Sequence, residues 1–326
     1  MPTSDIQEQL TKYLTDAHSI EKQALAQLRS APEIAGDPEI SAAFREHLHE
    51  TEGHELRVRN LLLARGAKPS KVKDAVMALG GKGFLLFARL QPDTPGKLLA
   101  HSISYEALER ASYELLRRVA ERADEPTAAE TAFEIRNEED RMLERLEGFY
   151  DRAVEASLRQ VGRDDLREQL RKYLADAHAI EEQATKLLEK GPQLAGDPKL
   201  ATIYEEHFVE TREHSELVQQ RLNALGGDPS TLKDAAMRLG ALNWGAFFSA
   251  HPDTPGKLAA FAHAFEHLEI GGYEQLKRVA QRAGDEETAQ IADRILEQER
   301  TAAERIAGAF DEALTASLQS QGVTAG

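Results

Sequence analysis

The stretch DAHSIEKQA, Asp16 to Ala24, returns as DAHAIEEQA, Asp176 to Ala184. Each copy sets a glutamate, Glu21 or Glu181, where a packed helix calls for an apolar side chain. Steps of three and four trace the stripe Leu14, Ala17, Glu21, Ala24, Leu28, the spacing of a helix face turned to a core. Three more stripes carry the same interruption. One runs Ile40, Phe44, His47, Thr51, His54, Val58, with Glu50 on its flank. Another runs Leu98, Ser102, Tyr105, Glu109, Ser112, Leu116, and the last Ala128, Ala132, Ile135, Glu139, Met142, Leu146, Phe149. The second half repeats the pattern at Glu181, at Glu210 and His214, at Glu269 and at Glu299.

In antiparallel helices of similar length, interruptions at mid-height meet in one layer. An ionised carboxylate buried there costs several kcal/mol unless it is paired or metal-bound, and four together repel. A cation, protons or penetrating water must compensate them. A pair of divalent metals, about +4 in charge, balances four carboxylates, and oxygen ligands with imidazole suit iron or manganese. His47 and His207 stand on the same stripe in both copies. His18 and His178 lie one turn before Glu21 and Glu181, either orienting those carboxylates or forming ordinary helix salt bridges. Glu106 and Glu266 precede Glu109 and Glu269 by one turn, as alternate ligands or, the favoured reading, as flank charges.

The elements that hold these residues are helices, written twice. Residue n corresponds to residue n+160 from Ser4 and Asp164 to about Gln160 and Ser320, without a gap. The unit far exceeds the ~20–50 residues of solenoid repeats and reads as a duplicated domain. The expected domains are residues 1–160 and 161–320, followed by a frayed tail at 321–326. Helix 1 is expected from Ser4 to Ser30. Asp37 as N-cap and Pro38 at the first position open helix 2, to about Arg65. Helix 3 is expected at Pro95–Ala123 and helix 4 from Pro126 to Leu158. Between helices 2 and 3 a crossover carries two short helical pieces, Lys71–Leu79 and Lys82–Leu90. The fold class is therefore all-α: two tandem four-helix bundles of ferritin-like topology. Trp244, Phe84, Phe87, Phe247 and Phe248 fall in the crossovers, to cover a bundle end, join the domains or line an apolar pocket.

Composition narrows the partners. The chain has 326 residues, 40 basic and 56 acidic, and a net charge of −16. Such a surface repels phosphate backbones and disfavours nucleic acid. It has no cysteine, so thiolate metal sites are excluded. Neither a secretory signal nor a stretch of ~20 apolar residues is present, so no membrane is expected and the cytoplasm is the default. The DTPGK stretch at Asp93 lacks the spacing of a phosphate-binding loop and reads as a helix start.

The chain resembles the bacterial YciE/YciF-type ferritin-like proteins. The resemblance rests on DAHSIEKQA, FREHLHETEGH, KDAVMALGG, FEHLEIGGYEQLKRVA and LEQERTAAERI. It implies a rubrerythrin-like dimetal-carboxylate bundle, a tendency to dimerise and a link to stress. The implied ligands are Glu21, Glu50, His54, Glu109 and Glu139, with Glu181, Glu210, His214, Glu269 and Glu299 in the second copy. The chain departs from the Glu-x-x-His pattern of ferritin-like sites. Glu50 precedes His54 by four residues, and Met142 and Ala302 stand where a second histidine would lie on helix 4. The expected function is a ferritin-like protein that binds iron or manganese, with oxygen or peroxide chemistry. The alternative is a metal-free interaction protein whose acidic faces drive self-assembly or dock a basic partner.

Overall fold

The computed structural model describes residues 5–67, 94–162, 165–227 and 254–323, and among these every regular element is an α-helix. The chain divides into two units, Met1–Ser157 with Gln321–Gly326, and Leu158–Ser320. The first contains α1 (Ile6–Leu28), the short α2 (Ala31–Ile34), α3 (Pro38–Ala64), α4 (Thr94–Arg122), α5 (Pro126–Glu147) and α6 (Tyr150–Leu158). The second contains α7 (Leu166–Leu194), α8 (Pro198–Ala224), α9 (Thr254–Ala283), α10 (Glu286–Ala307) and α11 (Phe310–Ser320). Both are four-helix bundles, with α1, α3, α4 and α5 as the first set and α7, α8, α9 and α10 as the second.

Polar contacts at the helix ends fix the directions in the first bundle. Arg65, just past α3, donates to Gln7 O at 3.0 Å and Thr11 Oγ1 at 3.1 Å near the start of α1. It also donates to Glu125 Oε1 at 2.8 Å, just before α5. Helix α3 therefore runs against both α1 and α5. Gln7 Nε2 donates to Ala123 O at the end of α4, at 2.7 Å, so α4 runs against α1 and parallel to α3. Parallel neighbours in sequence need a connection as long as the bundle, about 40 Å for a helix the length of α3. This up-down-down-up order with one long crossover is the ferritin-like topology. The crossover helices expected at Lys71–Leu79 and Lys82–Leu90, their second-copy counterparts, and Trp244, Phe84, Phe87, Phe247 and Phe248 lie outside the described residues.

The repeated AGDP stretch turns the chain into α3 and α8. Gly36 adopts φ +70°, and a Cβ there would meet Pro95 Cγ at 2.6 Å. Gly196, at φ +65°, meets Pro255 in the same way. A side chain at either position would be strained by its backbone and by its neighbour. Asp37 then caps α3, its Oδ1 accepting from Glu39 N at 2.9 Å and Ile40 N at 3.1 Å. Asp37→Ala should cost about 0.5–2 kcal/mol, read as a drop of the thermal midpoint by circular dichroism.

The structure modifies two expectations about the helices. In the first copy α1 ends at Leu28 and α2 follows separately, whereas α7 runs on to Leu194 with Pro192 inside it. The fourth helix stops at Gly148 and restarts at Tyr150. Glycine is the weakest ordinary helix former, and Phe149 N closes a tight turn on Leu146 O at 2.9 Å. The turn shifts the buried stripe by one residue, so Tyr150 is buried and Phe149 only partly. Val323, the last described residue, is buried.

Candidate metal centre

In the first bundle, α1 contributes Glu21, α3 contributes His47 and His54, α4 contributes Glu106 and Glu109, and α5 contributes Glu139. All six are at most 3% exposed. Their ligand atoms form two groups, each within 4.8 Å: His47, Glu106, Glu109 and Glu139, and Glu21, His54 and Glu139. Glu139 belongs to both. Its Oε2 lies 3.5 Å from His47 Nε2 and its Oε1 2.7 Å from His54 Nδ1. Glu106 Oε2 lies 3.1 Å from His47 Nε2. Glu21 Oε1 accepts a hydrogen bond from Tyr113 and lies 3.7 Å from His54 Nδ1.

Several of these atoms have nothing to bond. Both oxygens of Glu109 and Oε2 of Glu21 are buried without a hydrogen-bond partner. Buried polar atoms of folded proteins are nearly always satisfied, so oxygens aimed together at a common space fit a cation. Carboxylate oxygens with imidazole nitrogens are the donor set of iron or manganese. The six side chains thus fit the metal inferred from the stripes.

Electrostatics shows what the cluster does without one. Burial pushes the Glu109 carboxyl well above the usual carboxylate range, and repulsion by Glu139, Glu21 and Glu106 adds to it. Burial lifts Glu21 to about 8 against the pull of His54, and Glu106 to about 7 against that of His47. Glu139 is buried as deeply, yet contact with His54 and His47 holds it below the usual range. Burial disfavours the charged form of His54, but Glu138 and Glu139 outweigh this and raise it to about 10. Protons therefore neutralise the layer, and a cation entering it must displace them.

The second bundle repeats the arrangement. Its groups are His207, Glu266, Glu269 and Glu299, and Glu181, His214 and Glu299. His207 Nε2 lies 2.8 Å from Glu266 Oε2 and 3.4 Å from Glu299 Oε2, and His214 Nδ1 lies 2.8 Å from Glu299 Oε1. Tyr273 donates to Glu181 Oε1. Both oxygens of Glu269 are buried and unpartnered.

Eight of the ten residues singled out from the sequence thus enter these buried groups: Glu21, His54, Glu109, Glu139, Glu181, His214, Glu269 and Glu299. Glu50 and Glu210 stand elsewhere. Their side chains are 46% and 36% exposed, and each contacts the outer nitrogen of its own His47 or His207 at 3.1 Å. The reason is angular. At about 100° per residue, Glu50 sits well to one side of the stripe from His47 through Thr51 to Val58. Glu106 and Glu266, read as flank charges, lie inside instead. Helix α4 packs against both α1 and α5, so its buried arc is wide enough to hold Glu106 beside Glu109. His18 reaches across to α3, its Nε2 lying 3.0 Å from Glu55 Oε1. Tyr113 and Tyr273 were not singled out from the sequence, although each recurs at the same place in its copy.

Beside the first cluster lies a small cavity lined by Ala24, Gln27, Leu28, Ser102, Tyr105 and Glu106. None of the described helices is long and apolar enough to cross a membrane.

No solved structure matches the chain. Residues 5–159 and 165–319 each match a family described as Domain of unknown function (DUF892). Together the two matches cover nearly the whole sequence, and the chain belongs to this YciF-like ferritin-like family, with its domain present twice in tandem.

Proposed function

We propose that the chain is a ferritin-like metal-binding protein that holds iron or manganese in each of its two bundles, with two metal positions per bundle. The observation that carries this reading is Glu139, shared between two groups that each contain one imidazole. Helix α5 lacks the expected second histidine, having Met142 at that place, but α3 brings His47 to one group and His54 to the other. Glu139 would bridge, Glu106, Glu109 and His47 would hold one side, and Glu21 and His54 the other. Glu299 and its neighbours would do the same in the second bundle.

Bound there, iron or manganese would supply redox chemistry toward oxygen or peroxide, consistent with a stress-related role. The protein's own part is to hold the metals in a water-poor layer, to orient Glu21 through the Tyr113 hydroxyl, and to store on the acids and imidazoles the protons that a metal displaces.

Metal analysis of protein purified without chelator tests the reading. The wild-type chain is expected to carry iron or manganese, and Glu139→Gln with Glu299→Gln to lose at least about nine-tenths of it, since even outer-sphere changes typically cost 10–100-fold in affinity. Equal metal content in the two proteins would discard the bridging assignment. A wild-type chain that stays metal-free when supplied with either metal would discard the metal reading and leave the interaction protein.

A further inference from the structure

The two clusters match residue for residue, but the side chains behind them do not. His54 turns Nδ1 toward Glu139 and Glu21, and its Nε2–H donates to Glu138 Oε2 at 2.7 Å. Glu138 is itself held by Arg57, whose other nitrogen lies 3.5 Å from Glu134 Oε2. In the second bundle His214 has the same inward contacts, but its Nε2–H donates to the Gln298 side-chain oxygen at 3.1 Å. The positions matching Arg57 and Glu134 are Leu217 and Arg294. One imidazole therefore leans on an anion anchored by a guanidinium, and the other on a neutral amide.

That contrast acts on the inward nitrogen. A carboxylate draws the far N–H proton toward itself and leaves the opposite ring nitrogen more electron-rich and a better donor to a cation. It also fixes the ring orientation and the tautomer. Such outer partners of a metal-ligating histidine are typically worth 10–100-fold in metal affinity. An amide oxygen accepts the same hydrogen bond more weakly, because charge-assisted hydrogen bonds are roughly twice as strong as neutral ones.

Resting on the metal reading above, we infer that the two bundles are unequal metal sites. The first, in which Glu138 acts on His54 as a positioning residue, holds a divalent cation more tightly than the second, where Gln298 takes that place. The duplication has then yielded a tight site and a looser, more readily exchanging one on a single chain.

The test is a competition titration of the full-length, metal-free chain with Mn2+ against a chelating dye. In wild type the His54 and His214 positions are expected to separate by about 10–100-fold into a tight and a weak class, the two variants telling this pair apart from the positions at His47 and His207. Glu138→Gln should move the tight class toward the weak one, and Gln298→Glu should move the weak class toward the tight one. Glu138→Gln gives up the carboxylate's contacts with His54 and Arg57, so its metal-free chain should melt somewhat below wild type, but with the same helical circular dichroism at the titration temperature and one cooperative transition, which separates an effect on the imidazole from a loss of folding. A single class in wild type, or a tight class that Glu138→Gln leaves in place, would overturn the inference while leaving metal binding intact. No Mn2+ bound by any of the three proteins would remove the metal reading and this inference with it.

Discussion

Replacing Glu109 with leucine should stabilise the metal-free chain. Glu109 is 1% exposed, and neither carboxyl oxygen has a hydrogen-bond partner. Burial, with repulsion from Glu139, Glu21 and Glu106 added to it, pushes its carboxyl well above the usual carboxylate range. A buried polar group without partners costs about 1–3 kcal/mol, and apolar replacement of buried charged groups is often neutral or stabilising. Leucine has a similar volume, and Leu116, two turns on along α4, is a buried apolar residue of the same stripe. Glu109→Leu should therefore raise stability by about 1–3 kcal/mol, each kcal/mol shifting the midpoint by roughly 2–4 °C in a domain of this size. On the proposed function the same change also removes a metal ligand. At Mn2+ a hundredfold above its dissociation constant, wild type gains about 2.7 kcal/mol, and the variant should gain much less. The two melting curves should thus cross as Mn2+ is added. A metal-free Glu109→Leu protein that melts below wild type would show that the carboxyl has a structural partner and would undercut the cation argument.

The architecture was legible because its signals are local and doubled. Asp37–Pro38 and Asp197–Pro198 announce helix starts by capping chemistry, and the stripes of Leu14 to Leu28 and Ala128 to Leu146 set the core faces. The departures have equally local causes. Gly148 divides a helix whose stripe reads as continuous through Phe149, because periodicity carries no information about a one-residue turn. Glu50 was assigned a place on resemblance, whereas its angle on α3 sends it to the flank. Glu106 was assigned to the flank because stripe counting presumes one narrow face, whereas α4 is packed on two sides. Tyr113 and Glu138 were illegible for another reason. A tyrosine on an apolar arc and an acid beside an acid look ordinary until the helix opposite is known, and their roles come from contacts with Glu21 and His54 made across the bundle.

Acidity should govern the metal-free protein in the sense opposite to ordinary acid denaturation. Glu21 titrates near 8 in the folded chain against 4.5 ordinarily, Glu106 near 7, and in the second bundle Glu181 and Glu266 near 8. His54 titrates near 10 against 6.5. Each of these groups keeps its proton in the folded state to a higher pH than in the unfolded chain. Their stabilisation is complete below the unfolded values and is lost as pH climbs through the folded ones. A single such group removes about 1.4 kcal/mol per pH unit inside its window. Glu138, lowered to about 2, and Glu139, also lowered, act in the reverse sense. Their stabilisation is present above the ordinary carboxylate value and fades only below it, outside the interval considered. From pH 5 to pH 9 the melting temperature of the chelator-treated chain should therefore fall steadily. With saturating Mn2+ the displaced protons no longer matter to the folded state, and binding itself tightens as protons cease to compete. The difference between the metal-loaded and metal-free midpoints should accordingly widen as pH rises, measured by calorimetry in matched buffers. A metal-free midpoint that rises across the same interval would mean that the acids are ionised and compensated by something other than protons, and the exchange of protons for a cation would lose its physical basis.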